Sequence, residues 1–434
     1  MMSRRVVIVS MGCSKNLVDS ERLAARLGAS GLDVSFDSSD CTGADVVVNT
    51  CGFIGDAKAE SIDAILSAVE MKKRGEVNGV YVMGCLSERY RRELRQEIPE
   101  VDGLVGKFDW DSLVETLGNK TAALKPWERE LSTAPHYTYI KISEGCNRFC
   151  AFCAIPLITG RHKSRSIDEI ADEVTTLAAS GVREFNIIAQ DLSAYGTDLG
   201  LKGERSPLAE LIDRLADIHG VEMLRLHYAY PADFPYDILE VMARRPNVCK
   251  YLDIALQHID DGVLNNMRRH IDAEGTRALL ERIRSEVPGI HIRTTLMVGF
   301  PGEDDAAFER LLDFVREQRF ERMGAFAYCE EDDTYAALHY PDDIPEEVKQ
   351  QRLDELMAVQ QEIAFDIAAE KIGRTLRVIV DSEDDEYYIG RSEYDSPEVD
   401  CNVLIEKSQV LEFGKIYDVV VTDTCGFDLI GRLA

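Results

Sequence analysis

Short apolar runs and helical stretches alternate along most of this chain, and that alternation leaves few folds open. Apolar runs at Val6–Val9, Asp45–Asn49 and Val80–Met83 are followed by helical patterns at Leu17–Leu27, Ala57–Lys73 and Ser87–Glu97. Strands that alternate with helices are joined by crossovers and so lie parallel. The pattern predicts a doubly wound parallel sheet over residues 1–120. A polar, proline-bearing stretch around Gly118–Pro135 reads as a linker. The alternation resumes over residues 132–367. Strands are expected at Tyr139–Ile142, Glu184–Ile188, Met223–Leu226, Leu252–Leu256, His291–Met297 and Met323–Ala327, with helices such as Ile167–Ala179, Leu208–Ile218 and Asp304–Gln318 between them. Six such strands suggest a partial α/β barrel. A long helical run, Pro345–Lys371, leads to residues 370–434, where the pattern changes to short β runs: Leu376–Val380, Tyr387–Gly390, Val403–Ile405, Tyr417–Val421 and Leu429–Leu433. Closely spaced short strands predict a small antiparallel β-barrel. The expected class is α/β with that barrel appended.

Six of the eleven cysteines carry a chemical message. Cys146, Cys150 and Cys153 follow a C-x3-C-x2-C spacing with no fourth cysteine nearby. Three thiolates hold three corners of a 4Fe–4S core and keep one iron open, whereas electron carriers usually use four. An open iron points to chemistry at the cluster. Structural zinc takes four protein ligands, and the nearest candidate, His162, stands across a loop containing Pro156 and Gly160. A disulfide framework fits neither the odd cysteine count nor the 434-residue length. Cys13, Cys51 and Cys85 each follow one of the first three apolar runs, each with glycine beside it (Gly12, Gly52, Gly84). The carboxyl edge of a parallel sheet is where ligands bind. Three strand ends can therefore bring three thiolates to a second open-iron centre, with the glycines letting backbone approach the inorganic core. Cys41, Cys249, Cys329, Cys401 and Cys425 lack that context and read as packing residues.

Charge bounds the partners. With 49 basic and 78 acidic residues the net charge is −29. Such a field repels phosphate backbones and favours a basic partner. From Ala368 to the end there are 15 acidic and 7 basic residues, concentrated at Asp381, Glu383, Asp384, Asp385 and Glu386. A barrel that binds nucleic acid should be basic. No apolar run reaches membrane-span length, and the apolar run after Arg4-Arg5 is too short for a signal peptide. A cytoplasmic location, with reduced thiols available to metal, is expected.

The cysteine triad, with aromatic Phe152 inside it, resembles the radical S-adenosylmethionine enzymes. Gly12-Cys13-Ser14-Lys15-Asn16-Leu17-Val18-Asp19-Ser20-Glu21, Asn49-Thr50-Cys51-Gly52-Phe53-Ile54, Leu256-Gln257-His258-Ile259 and Val298-Gly299-Phe300-Pro301-Gly302-Glu303 are similar to the methylthiotransferase branch of that family. Cys13–Glu21 and Gln190-Asp191-Leu192-Ser193-Ala194-Tyr195-Gly196 lie nearest to its members that modify an aspartate of ribosomal protein S-twelve. The resemblance covers essentially the whole chain, with a TRAM-like barrel at the end. It departs at Thr159, where the family usually has arginine, at Ala255 in place of proline, and at Cys329 in place of serine.

The resemblance implies two 4Fe–4S clusters, one on Cys146, Cys150 and Cys153 and an auxiliary one on Cys13, Cys51 and Cys85. S-adenosylmethionine is implied as both radical source and methyl donor. A radical removes hydrogen from an unactivated carbon, and a methylthio group is transferred from the auxiliary centre. Phe152, Gln190 and Asp191 are expected at the cofactor, each against an ordinary structural role in packing or loop capping. His258 is expected near the same face, and Gly299–Glu303 as a strand-to-helix turn beside it. The implied substrate is the basic ribosomal protein, docked by Asp381, Glu383, Asp384, Asp385 and Glu386, with an electron donor and a sulfur source as further partners. The alternative with the same chemistry is methylthiolation of adenosine in transfer RNA. A non-catalytic iron–sulfur carrier or redox sensor is the alternative of a different class.

Overall fold

The structure is a computed structural model, and the described residues are 4–118, 124–201 and 203–434. Met1–Ser3 and positions 119–123 of the expected linker lie outside them. The chain divides into two compact units. One comprises residues 1–133 with 144–147 and 153–162; the other comprises 134–143, 148–152 and 163–434.

The first unit is built on a five-stranded sheet in the order Asp33–Phe36, Arg5–Ser10, Asp45–Thr50, Gly79–Gly84, Gly103–Leu104, with every ladder parallel. Helices Ser14–Ala29 and Gly55–Lys73 make the main crossovers. Val7, Val46, Val48, Val80 and Val82 pack on one face with Ile65 and Val69. Val6, Ile8, Val47, Tyr81 and Met83 pack on the other with Leu23, Leu27 and Leu113. Burial on both faces is why these strands read as unbroken apolar runs. The strand order reverses between Arg5–Ser10 and Asp45–Thr50, so the switch point opens beside the residues that follow those two strands.

Two edge strands, Asp33–Phe36 and Gly103–Leu104, and helix Trp110–Leu117 were not expected. The expected helix Ser87–Glu97 is interrupted at Tyr90 (φ −118°, ψ 34°), giving Cys85–Arg89 and Arg91–Glu97.

In the second unit six strands stand in chain order: Tyr137–Lys141, Glu184–Ile188, Met223–Ala229, Val248–Ile254, His291–Val298 and Arg322–Ala327. All five ladders are parallel. Helix Glu346–Ala369 leads to the C-terminal strands, which close into a five-stranded barrel. Val378, Val380, Val403, Ile405, Val419 and Val421 fill it. The barrel is not wholly antiparallel as expected: Val403–Ile405 pairs parallel with Leu429–Gly431. The connection from Glu406 to Ile416 passes over the place that Asp428–Leu433 later takes, so these two strands meet running the same way, whereas Ser392–Val403 connects strands that are direct antiparallel neighbours.

The Ser392–Val403 connection also joins the barrel to the six-stranded sheet. Buried Glu184 accepts from Arg391 Nη2 at 2.8 Å and Arg225 Nη2 at 3.2 Å. Arg391 also donates to Asp381, at 2.6 Å from Nε. Asp395 takes Arg322 at 2.5 Å, and Asp400 takes Arg293 at 2.7 Å and the Tyr251 hydroxyl at 2.8 Å. Two of the C-terminal acids, Asp395 and Asp400, are therefore neutralised by arginines of the six-stranded sheet. The two guanidiniums hold the Glu184 carboxyl below its ordinary range against the opposing effect of burial.

Candidate functional site

Three loops at the carboxyl edge of the five-stranded sheet interlock, and a cysteine sits in each. A β-carbon on Gly12 would lie 2.7 Å from Cys51 Cβ. One on Gly52 would lie 2.6 Å from the Leu86 amide nitrogen, and one on Gly84, at φ +103°, would lie 2.4 Å from Asn49 Oδ1. These glycines let protein meet protein. The expectation that they clear space for an inorganic core is corrected: what fills the place of each missing side chain is the neighbouring loop. The loops carrying Cys13 and Cys51 still meet, since the same β-carbon on Gly12 would lie 3.0 Å from Cys51 Sγ. Cys13 occupies the N-cap of helix Ser14–Ala29, and Cys85 opens helix Cys85–Arg89.

A buried polar shell fixes the loops. Asn16 Nδ2 donates to Thr50 O at 2.9 Å and Met11 O at 3.1 Å. Its Oδ1 lies 3.4 Å from both Cys85 Sγ and Lys107 Nζ. Lys107 in turn donates to Asp19 at 2.6 Å. Asn49 Nδ2 bridges Asn16 O and Ser20 Oγ. Glu21 accepts from Arg129 at 2.5 Å and from the Ser132 amide at 2.8 Å. Burial pushes the Cys85 thiol up to about 12, opposed by the Lys107 ammonium, and burial raises Cys51 too. Burial pulls Lys107 down, yet Asp19, Glu144 and Cys85 together hold it well above its ordinary value. A soft divalent or polynuclear iron group would displace the thiol protons and find a cation behind it, so this donor set fits an iron–sulfur core. Asn16, Asp19 and Glu21 lay in a motif singled out from the sequence. Lys107 and Arg129 carried no local signal.

Cys146, Cys150 and Cys153 lie on the loop between Ser143–Glu144 and helix Ile155–Thr159. Within the first unit, Gly145 (φ +78°) leaves only 2.2 Å between a would-be β-carbon and Arg161 O, and the Cys146 amide donates to Gly160 O at 3.2 Å. Helix Cys85–Arg89 packs on helix Ile155–Thr159, and Cys85, Ala154 and Ile158 form one buried cluster. Cys85 of one cysteine set thus shares an apolar contact with the residue next to Cys153 of the other. Thr159 turns back to donate to Ile155 O at 3.1 Å, and Arg161 is exposed.

Within the second unit, Cys150 Sγ accepts from Arg269 Nη1 at 3.3 Å and lies 3.7 Å from the Tyr230 hydroxyl. Phe152 joins the cluster of Ala151, Val263, Met267, Phe300 and Tyr328, with its ring edge-on to Phe300 at 6.3 Å. Gln190 follows strand Glu184–Ile188 and is half-buried. Asp191 is buried; it accepts from Arg148 Nε at 2.6 Å and from the Ala194 amide at 3.2 Å. His258 is fully buried, with Nδ1 accepting from the Asp260 amide at 3.0 Å and Nε2 3.2 Å from Glu303. Glu303 also takes the Gly299 amide and Arg352. That set of bonds ties together the loops after strands Val248–Ile254 and His291–Val298.

The acidic docking set is only partly a surface. Asp381 is corrected: it is mostly buried between Arg391 and His136, whose Nε2 lies 2.7 Å away. Glu383 pairs with Lys407 at 2.9 Å, and Asp384 holds its own hairpin through the Glu386 and Tyr387 amides. Asp385 and Glu386 are exposed. Among the described residues no group of three His, Cys, Asp or Glu side chains is gathered about a single metal ion, His162 included.

Family models match three stretches: the Radical SAM superfamily over residues 140–315, the Uncharacterized protein family UPF0004 over 5–106, and the TRAM domain over 372–434. The ribosomal protein uS12 methylthiotransferase RimO of Parabacteroides distasonis is 54% identical over 433 residues, covering 100% of both chains. That of Bacteroides thetaiotaomicron is 55% identical over 434 residues, covering 100% of this chain and 99% of its own. The chain belongs to the ribosomal protein uS12 methylthiotransferase family. It is an enzyme, a methylthiotransferase with a radical SAM domain, and it works with an iron–sulfur cluster and S-adenosylmethionine. Full-length similarity to members of the uS12 methylthiotransferase family does not favour the transfer-RNA alternative. The radical S-adenosylmethionine methyltransferase TsrM of Kitasatospora setae shares the fold, with a TM-score of 0.55 at 14% identity over 74% of this chain and 73% of its own.

Proposed function

We propose that the chain transfers a methylthio group to the β-carbon of an aspartate in ribosomal protein uS12. In this reading Cys146, Cys150 and Cys153 hold a 4Fe–4S cluster that binds S-adenosylmethionine, and Cys13, Cys51 and Cys85 hold a second. The observation that carries it is the pairing of two three-cysteine sets, with Cys85 packed against the residue that follows Cys153. When bound, the clusters and S-adenosylmethionine supply radical chemistry at an unactivated carbon and the sulfur to be placed there. The chain's own residues hold and shield. Lys107 sets a positive charge behind the N-terminal thiolates, and the apolar contact of Cys85 with Ala154 and Ile158 keeps water from that flank. Phe152, Gln190 and Asp191 are proposed at the S-adenosylmethionine site, with Asp191 acting through Arg148. An external low-potential electron donor and a sulfur source complete the requirements. Among the described residues no helix is long and apolar enough to cross a membrane, and we place the reaction in the cytoplasm, where thiols stay reduced.

Anaerobic turnover of purified uS12 with S-adenosylmethionine and a reductant tests this. Mass spectrometry should find a methylthio increment on one aspartate. An increment on transfer RNA and none on uS12 would overturn the reading.

The exposed acidic hairpin is proposed to dock the basic substrate. Neutralising Asp385 and Glu386 together is expected to weaken association with uS12 by about two- to fivefold at low salt, as exposed charges contribute little each. The difference should disappear at high salt. An unchanged low-salt affinity would remove the hairpin from the interface.

A further inference from the structure

Arg269 is buried at 3% exposure, and no carboxylate pairs with it among the described residues. Arg225, Arg352 and Arg391, buried in the same unit, each have a glutamate. The Arg269 guanidinium instead donates to Ala255 O and to Cys150 Sγ, and its Nε is buried without a partner. An uncompensated buried cation is costly, and the Cys150 sulfur, which can carry a negative charge, accepts directly from this one.

The surroundings aim it there. Arg268 and His270, on either side, adopt left-handed φ values of 58° and 56°. Such values in bulky non-glycine residues persist only where the surroundings impose them. The Tyr230 hydroxyl donates to Arg269 O at 2.7 Å, and the Tyr230 ring lies between two guanidiniums, Arg148 and Arg269, each 4.2 Å from its centroid. Arg148 differs in having its own counter-charges, Asp191 and Asp233.

We infer that Arg269, clamped by Tyr230, is a positioning residue that raises the reduction potential of the cluster on Cys150. This rests on the reading of Cys150 as a cluster ligand. The step concerned is a one-electron transfer. A low-potential reductant loses one electron and the cluster gains it, with no bond made or broken in the protein. The added negative charge spreads over the sulfurs, and a cationic hydrogen bond to one of them favours the reduced state.

The test is a redox titration followed by electron paramagnetic resonance. It is run on the full chain with Cys13, Cys51 and Cys85 replaced by serine, so that one centre gives the signal. Arg269→Gln is expected to shift the midpoint downward, leaving about tenfold fewer reduced centres at a fixed potential, the scale of one hydrogen bond to a charged group. Arg269→Lys should recover part of the shift, and Tyr230→Phe, which keeps the guanidinium but releases its backbone and removes a hydroxyl 3.7 Å from Cys150 Sγ, should shift it less. A midpoint equal to that of the parent in Arg269→Gln overturns the inference. If that variant fails to assemble iron, an unshifted midpoint in Tyr230→Phe overturns it instead. A parent without iron at this loop would sink the ligand assignment. The expected midpoint shift, together with no methylthio product on uS12 from the chain with all its cysteines in place, would sink the proposed reaction alone.

Discussion

Cys85→Ala is expected to abolish methylthio transfer while the chain still cleaves S-adenosylmethionine under reducing conditions. Cys85 opens a helix at the sheet edge, and in the proposed reading its thiol is one of the three that hold the second cluster. Removing it leaves two cysteines, too few to retain a cluster that starts with three. The radical-forming set is untouched in sequence, so 5′-deoxyadenosine should still accumulate. The expected readouts are a loss of roughly half the iron per polypeptide on the two-cluster reading, no methylthio increment on uS12, and continued 5′-deoxyadenosine release. Full methylthiolation by the variant would remove Cys13, Cys51 and Cys85 from the chemistry.

Glu184→Gln is expected to cost about 3–5 kcal/mol of stability, the usual result of breaking a buried ion pair from one side. Glu184 is fully buried and is the shared counter-charge of Arg225 and Arg391. Glutamine keeps the shape, strands Arg225 and leaves Arg391 with Asp381 alone. The pH dependence has a definite sign. The folded-state carboxyl titrates below its unfolded value, so its contribution is fully present above the unfolded pKa and is lost as pH falls through the folded one. Urea denaturation at neutral pH should show the deficit, and at acid pH the two proteins should converge. Equal stability at neutral pH would mean that the arginines find other partners.

How far these features could be read from the chain depended on whether their cause was local. Strands such as Glu184–Ile188 and helices such as Ile167–Ala179 carry their own apolar pattern and appear where expected. Asp33–Phe36 and Gly103–Leu104 do not, because each is a short edge strand with little burial to write a pattern. The cysteines announce themselves by spacing and by strand position. Lys107 reaches Asp19 across 88 positions of sequence, and Arg269 reaches Cys150 across 119, so no local motif could reveal either. The C-terminal acids misled for a related reason. Counting charge treats Asp381, Asp395 and Asp400 as surface, whereas each has an arginine supplied from elsewhere in the second unit.

These pairings also bear on how the protein is made. Arg293 and Arg322 leave the ribosome well before Asp400 and Asp395, the carboxylates that pair with them. The nascent central sheet must therefore wait with unsatisfied cations at its margin until residues 395–400 have emerged. Its completion depends on that late segment, whereas the five-stranded unit has nearly all of its strands and core in hand within the first 120 residues or so.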